Sequence, residues 1–380
     1  MTPMSPMSPV NPPPARLREI DLLRFVAAML VMIHHYVGRL GGWGVQNHHN
    51  MPGIAQIAHF GNLGVDLFFL ISGFVILMSA WGRGVGDFAV SRVARIFPGY
   101  WFGVTLAAVA FLAIGQTPWA GHNPIAVYLP NMTMFQMGIG VNHMEVVYWT
   151  LWVELHFYVL ISLLVWRGLT YERCLAFMVL WIVLGTFSME ANFLPLAAIL
   201  MPPWAPYFVA GMAFYLIHRF GPNLLLWLIV FGCWGLAVPY RIASVNPELE
   251  WPKVWDAVIT GGVTFAFLVM AMVSVGMFDI VRWRGFTVLG ALTYPLYLVH
   301  ETVGRVLDDL LGAHLGRWTL LGVSCAAALA SAYLVQRFVE APAQRWARRR
   351  LKAALARLRR EGLPAVRRQT PSRSPAEASR

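Results

Sequence analysis

An arginine and a histidine share the first long apolar stretch of the chain, LRFVAAMLVMIHHYV, with His35 eleven positions after Arg24. A bilayer penalises an ionisable side chain by several kcal/mol, so each one kept inside an apolar segment is a candidate functional group. Eleven positions on a helix correspond to ~16 Å. One group therefore lies near one membrane face and the other past the midplane. Such a segment can hold a ligand on one side and do chemistry toward the other.

Two more apolar stretches carry matching groups, Glu154 in WTLWVELHFY and His300-Glu301 in TYPLYLVHE. Counting helix rise from the expected span edges puts His35, Glu154 and His300 all roughly 21–22 Å above one face. A carboxylate beside an imidazole fixes its tautomer and stabilises the imidazolium, which is the usual general-base arrangement. His35 and Glu154 are therefore the expected catalytic pair, with His300 and Glu301 beside them. The plainer reading of each is a hydrogen bond between packed helices. Arg92 and Arg95, spaced i, i+3 in SRVARIFPGYW, share one helix face. Two guanidiniums on one face suit a multiply charged phosphate ligand. The plainer reading here is a topology signal at a helix start. Arg24 lies deeper, and topology explains it less well.

Helices must position these groups. The chain has 380 residues, of which 58% are hydrophobic and only 12% charged, and the mean hydropathy is +0.59. That composition excludes an ordinary soluble domain and fits an all-α polytopic membrane bundle. Apolar runs of ~17–25 residues give about ten spans. They are expected near 20–38, 62–81, 97–115, 148–166, 173–189, 204–218, 223–239, 256–278, 286–304 and 317–339. Arginines cluster before the first span, after each even-numbered span and in the tail, which places both termini in the cytoplasm by the positive-inside rule. An even number of spans agrees with that.

Residues 342–380 hold eleven Arg and one Lys against two Glu, so +10 of the net charge of +11 belongs to the tail. Beside a last membrane helix this marks the cytoplasmic side rather than nucleic-acid binding. RWARRRLKAALARLRR, residues 345–360, reads as a basic interfacial helix with Trp346, Leu351, Leu355 and Leu358 on its apolar side. Residues 1–16, rich in Pro, Met and Ser, are expected to be disordered. The expected organisation is therefore a disordered start at 1–16, a membrane domain at 17–341 and a cytoplasmic tail at 342–380.

The other polar groups carry less. Cys174, Cys233 and Cys325 lie far apart in apolar runs, so neither a disulfide framework nor a metal site is expected. Asp66, in GVDLFFLISGF, reads as an interfacial cap, and Ser72-Gly73 as a place where another helix can approach closely. His48, His49 and His59 lack metal spacing and read as surface or acceptor-facing groups.

Six ordered blocks resemble the acyltransferase-3 family of ten-helix membrane acyltransferases. They are REIDLLRFVAAMLVMIHH, GNLGVDLFFLISGFVI, the Arg92–Arg95 pair followed by IFPGYW, WTLWVELHFY, TYPLYLVH and RFVEAP, together spanning about residues 17–346. The family modifies sugars and other hydroxylated acceptors, among them lipopolysaccharide O-antigen, Nod factors and macrolides. The resemblance implies a multi-pass O-acyltransferase of a bacterial-type inner membrane. It implies acyl-CoA, with acetyl-CoA as the usual donor, as a cytoplasmic co-substrate, and no permanently bound cofactor. Arg24, Arg92 and Arg95 are then the expected acyl-CoA contacts. His35, oriented by Glu154, deprotonates the acceptor hydroxyl or carries the acyl group transiently, and both mechanisms stay open. His300, Glu301, Ser72, Asp66 and Trp149 are expected in the acceptor site or supporting it. The family pattern has one histidine at the end of its first block, whereas this chain has His34 and His35. Expected partners are acyl-CoA, a carbohydrate or similar acceptor, and membrane lipid. The rival reading is a proton-coupled transporter or flippase, which commonly shows internal repeats that are not visible here.

Overall fold

The computed structural model describes residues 17–39, 51–115, 123–244, 253–278 and 283–361. The expected disordered start, His48, His49 and the tail beyond residue 361 lie outside them. Regular structure among the described residues is entirely helical. The first half holds α1 (Arg18–Ile33), α2 (Pro52–His59), α3 (Gly64–Ala80), α4 (Val85–Ala113), α5 (Pro124–Thr133), α6 (Trp149–Arg167) and α7 (Tyr171–Glu190). The second holds α8 (Leu194–Leu200), α9 (Ala205–Phe220), α10 (Leu224–Ser244), α11 (Val254–Ser274), α12 (Gly285–Leu311), α13 (Arg317–Leu334) and α14 (Ala341–Glu361). A π-helical turn, His34–Gly38, extends α1, and another, Val335–Glu340, joins α13 to α14 without a break.

Nine helical segments among the described residues are long and apolar enough to cross a membrane. The protein is thus a multi-pass membrane protein. Helix α12, the expected ninth span, has 27 residues but is not among those nine. Its Thr293, Tyr297, His300 and Glu301 are polar because they face the interior, where Thr293, His300 and Glu301 are almost fully buried. The opposite pattern marks the outside of the bundle. Leu112, Leu163, Phe187, Phe231 and Phe265 all point outward and exposed, as lipid-facing side chains do.

Small residues set the tightest crossing. A Cβ on Gly73 would lie 2.2 Å from the Phe208 carbonyl oxygen, and one on Gly211 would lie 2.1 Å from that of Leu70. Helices α3 and α9 therefore touch backbone to backbone, which in lipid is how helices gain packing contact. The close approach expected at Ser72-Gly73 is made by Gly73, while Ser72 turns to the other side of α3.

Several span edges need correction, the start of the third among them. The third span was expected over 97–115, but α4 starts at Val85 and runs 29 residues. The charged stretch SRVAR is helical because Arg92 turns inward. Its guanidinium carbon lies 5.8 Å from the Phe88 ring centroid and 5.9 Å from that of Tyr158. Pro98 sits inside the helix, at the cost of one backbone hydrogen bond that neighbouring groups in membrane bundles can replace. Arg92 and Arg95 consequently lie about two turns inside α4 rather than at its start.

Helix α14 docks on the beginning of α4. Arg359 donates to Asp87 at 2.8 Å, Leu355 packs at Gly86, and Gln344 donates to the Arg95 carbonyl at 3.1 Å. The expected apolar side of this basic helix divides accordingly: Leu355 packs inward, whereas Trp346 and Leu358 stay exposed.

Candidate active site

Helices α1, α3, α4, α6 and α12 enclose a cavity of about 90 Å³. A vestibule of about 340 Å³ lies next to it, at the end of the bundle where α1 begins and α14 docks. Arg24, Val75, Arg95 and Tyr294 line both spaces, which adjoin there. The vestibule adds Asp21, Glu340, Gln344 and Arg348. From these shared residues the cavity follows α3 from Ile76 to Val65, eleven residues or ~16 Å by helix rise. It is a narrow channel, cationic at its mouth through Arg24, Arg92 and Arg95 and apolar at its far end.

Midway along it, Ser72 donates a hydrogen bond to Glu154 at 3.1 Å. Between Ser72 and the apolar far end, the Thr150 Oγ1 and Tyr297 OH hydroxyls lie 2.6 Å apart. Tyr297 also donates to the Val147 carbonyl at 2.9 Å. The Tyr297 ring leads out of the channel, because its centroid lies 6.0 Å from that of His300.

Behind Tyr297, His300 Nε2 lies 3.3 Å from His35 Nδ1. His35 Nδ1 is also 2.8 Å from the Val31 carbonyl, and His300 Nδ1 is 3.0 Å from the Leu296 carbonyl. A carbonyl only accepts, so both Nδ1 atoms carry the proton. His300 Nε2 is then an acceptor turned toward His35, and His35 Nε2 is left unprotonated. That is the tautomer of a general base or nucleophile. The π-helical turn His34–Gly38 aims the pair, a device frequent at functional sites. The His34 ring sits edge-on between His35 and His59, at centroid distances of 5.2 and 5.6 Å.

A second cluster backs His300. Glu301 is fully buried and accepts from Arg39 and from Arg305, each at 3.0 Å. Glu145, also buried, accepts from Thr302. Burial first, and then the neighbouring Glu301 carboxylate, raise the Glu145 pKa well above the ordinary carboxylate range. Glu145 therefore holds a proton more readily than an exposed carboxylate would.

The expected site residues thus fall into separate groups. Arg24, Arg92, Arg95, Ser72 and Glu154 line the channel. His35 and His300 form a pair, and Glu301, next to His300 in sequence, bonds to Arg39 and Arg305 instead of to either ring. The expected contact between Glu154 and His35 is not formed: Glu154 bonds to Ser72, and His35 to Val31 and His300. Glu154 lies one helical turn from Thr150 toward the arginine end and faces the channel, so it shares neither the level nor the surroundings of His35. Asp66 is tied to Arg241 of α10 at 2.9 Å, away from both groups. Trp149 stands behind the channel wall, 4.9 Å from Trp204 and 6.2 Å from Phe69 between ring centroids.

Residues 17–337 match the family model described as an acyltransferase domain, that of the acyltransferase-3 family. The chain belongs to that family. It is similar to Nodulation protein 10 of Rhizobium leguminosarum bv. viciae, at 26% identity over 368 residues, covering 86% of this chain and 92% of that protein. It is also similar to Acyltransferase MdmB of Streptomyces mycarofaciens, at 26% identity over 318 residues, covering 74% of this chain and 78% of that one. No solved structure matches. The protein is thus a membrane acyltransferase, acting on groups other than aminoacyl, that takes an acyl donor and a hydroxylated acceptor.

Several residues of this acyltransferase escaped the sequence reading. Tyr294 and Tyr297 line the channel, and Glu340, Gln344 and Arg348 line the vestibule. Glu340 and the two tyrosines lie inside the quoted blocks RFVEAP and TYPLYLVH, so a signal existed for them. Glu145 sits in an irregular connection before α6, where no periodicity points to it.

Proposed function

We propose that this acyltransferase moves an acyl group, acetyl in the first instance, from cytoplasmic acyl-CoA to a hydroxyl of a carbohydrate or similar acceptor. The acceptor reaches it from the outer side of a bacterial-type plasma membrane, and both termini are cytoplasmic. The observation that carries this reading is the channel with arginines at one end and the histidine pair behind the other. A diphosphate suits the Arg24, Arg95 and Arg348 guanidiniums of the vestibule, because guanidinium forks match phosphate oxygens. The slender pantetheine arm suits the channel, and its thioester then arrives near Tyr297.

In the proposed chemistry, His35 Nε2 removes the acceptor hydroxyl proton as the oxygen attacks the thioester carbonyl. The carbon–sulfur bond breaks, an ester forms, and the CoA thiolate takes up a proton. Alternatively, Nε2 attacks the thioester first, and the acyl-imidazole passes its acyl group to the acceptor. In both courses the Nδ1–H of His35 faces the His300 Nε2 and the Val31 carbonyl, which stabilise positive charge on the ring. Glu154, bonded to Ser72 within the channel, positions the donor arm rather than the histidine.

Sidedness tests this reading. CoA thioesters do not cross membranes unaided. Inverted vesicles containing the protein should release free CoA from external acetyl-CoA, and sealed right-side-out vesicles should not. Release only from right-side-out vesicles would reverse the proposed direction.

A further inference from the structure

The far end of the channel is closed by Val65, Phe68, Phe69 and Leu151. The two phenylalanines are held differently. Phe68 makes one edge contact, to Tyr297, at 5.9 Å between centroids. Phe69 is 3% exposed and wedged among Phe208, Trp204 and Trp149, at 4.8, 5.5 and 6.2 Å. Phe69 belongs to α3, whose backbone is locked to α9 at Gly73 and Gly211. An aromatic ring braced on three sides by other rings, on a helix that cannot shift, makes a rigid wall.

We propose that Phe69 is the gauge of acyl-chain length, restricting the donor to short acyl groups of the acetyl-to-butyryl class. This rests on the acyl-CoA reading above. With the diphosphate in the vestibule and the pantetheine arm running along the channel, Phe69, seven residues or ~10 Å along α3 from Ile76, bounds the space left for the acyl carbons. Each further methylene would have to displace a ring that three aromatic neighbours hold in place, and overpacking such a site is unfavourable. Trp149 and Trp204 thereby act as positioning residues for the wall. Truncating Phe69 opens space toward these two indoles, along the direction a longer chain would extend. Truncating Phe68 opens it toward Tyr297 and the histidines instead.

The test is a chain-length profile on full-length purified protein. Thioester cleavage is measured with acetyl-, butyryl-, hexanoyl- and octanoyl-CoA for wild type, Phe69→Ala, Phe69→Leu and Phe69→Trp. Wild type should cleave hexanoyl-CoA at least tenfold more slowly than acetyl-CoA. The hexanoyl-to-acetyl ratio should rise at least tenfold in Phe69→Ala, rise less in Phe69→Leu, and fall in Phe69→Trp. Phe69→Leu keeps the test open if the alanine variant fails to give a monodisperse protein. A wild type indifferent to chain length, or a ratio unchanged in the folded variants, would overturn the gauge. Absence of cleavage with every CoA thioester in wild type would instead overturn the donor reading on which it rests.

Discussion

Replacing His35 by alanine is expected to abolish acyl transfer while acetyl-CoA still binds. The proposed site of the donor's phosphates is the vestibule, about 16 Å from His35 by helix rise between Arg24 and that residue, so loss of the imidazole should leave their contacts intact. Loss of a general base alone costs about 10²–10⁴-fold, and loss of an acyl-carrying nucleophile removes the step altogether. His300→Ala should be severe too, because His300 Nε2 is the acceptor that faces His35 Nδ1 at 3.3 Å. His34→Ala should be mild, since His34 packs beside the pair edge-on and takes no part in the hydrogen bond between them. Rates with a defined acceptor, measured alongside acetyl-CoA affinity, separate these cases. Transfer that survives His35→Ala and disappears in His34→Ala would mean the neighbouring histidine does the chemistry.

Replacing Arg95 by alanine should have the converse effect: donor affinity falls and the chemistry of bound donor is spared. Arg95 lines both the vestibule and the channel, as Arg24 does, whereas Arg92 lines the channel alone. Hydrogen bonds to charged groups contribute about 1.5–3 kcal/mol, so affinity should weaken roughly 10- to 100-fold. Arg95→Lys should recover only part of it, because an ammonium cannot form the bidentate fork. Equilibrium binding of acetyl-CoA to the folded variants provides the check. Unchanged affinity in Arg95→Ala and Arg24→Ala would leave both arginines with a structural role only.

Much of this arrangement was legible in the sequence. Apolar run lengths placed nearly every span, because the bilayer dictates how long an apolar helix must be. The common depth of His35 and His300 followed from helix rise, and the two residues do meet. Glu154 does not lie level with them: it bonds to Ser72 midway along the channel, whereas the pair stands behind the channel's far end. Rise counted from an expected span edge fixes height only as well as that edge is known, and says nothing about which neighbour a side chain faces. The start of α4 was hidden for a related reason. A stretch containing Arg92 and Arg95 reads as a connection when judged by hydropathy, yet it is helical where an interior cavity receives the charges. The π-helical turn at His34–Gly38, which sets the direction of His35, has no hydropathy signature at all. Glu145 was missed because its burial comes from α12 packing over an irregular segment, a contact between residues 157 positions apart.

The central claim is that CoA-bound acyl groups enter by the arginine-lined channel and react at His35. The most direct measurement is the release of free thiol from acetyl-CoA by purified protein without an acceptor, where water takes the acyl group slowly. The expected result is slow, saturable cleavage by wild type and no cleavage by a His35→Ala variant that still binds acetyl-CoA. Cleavage of equal rate in both proteins would contradict a reaction at His35. A folded wild type that neither binds nor cleaves acetyl-CoA would contradict the donor assignment.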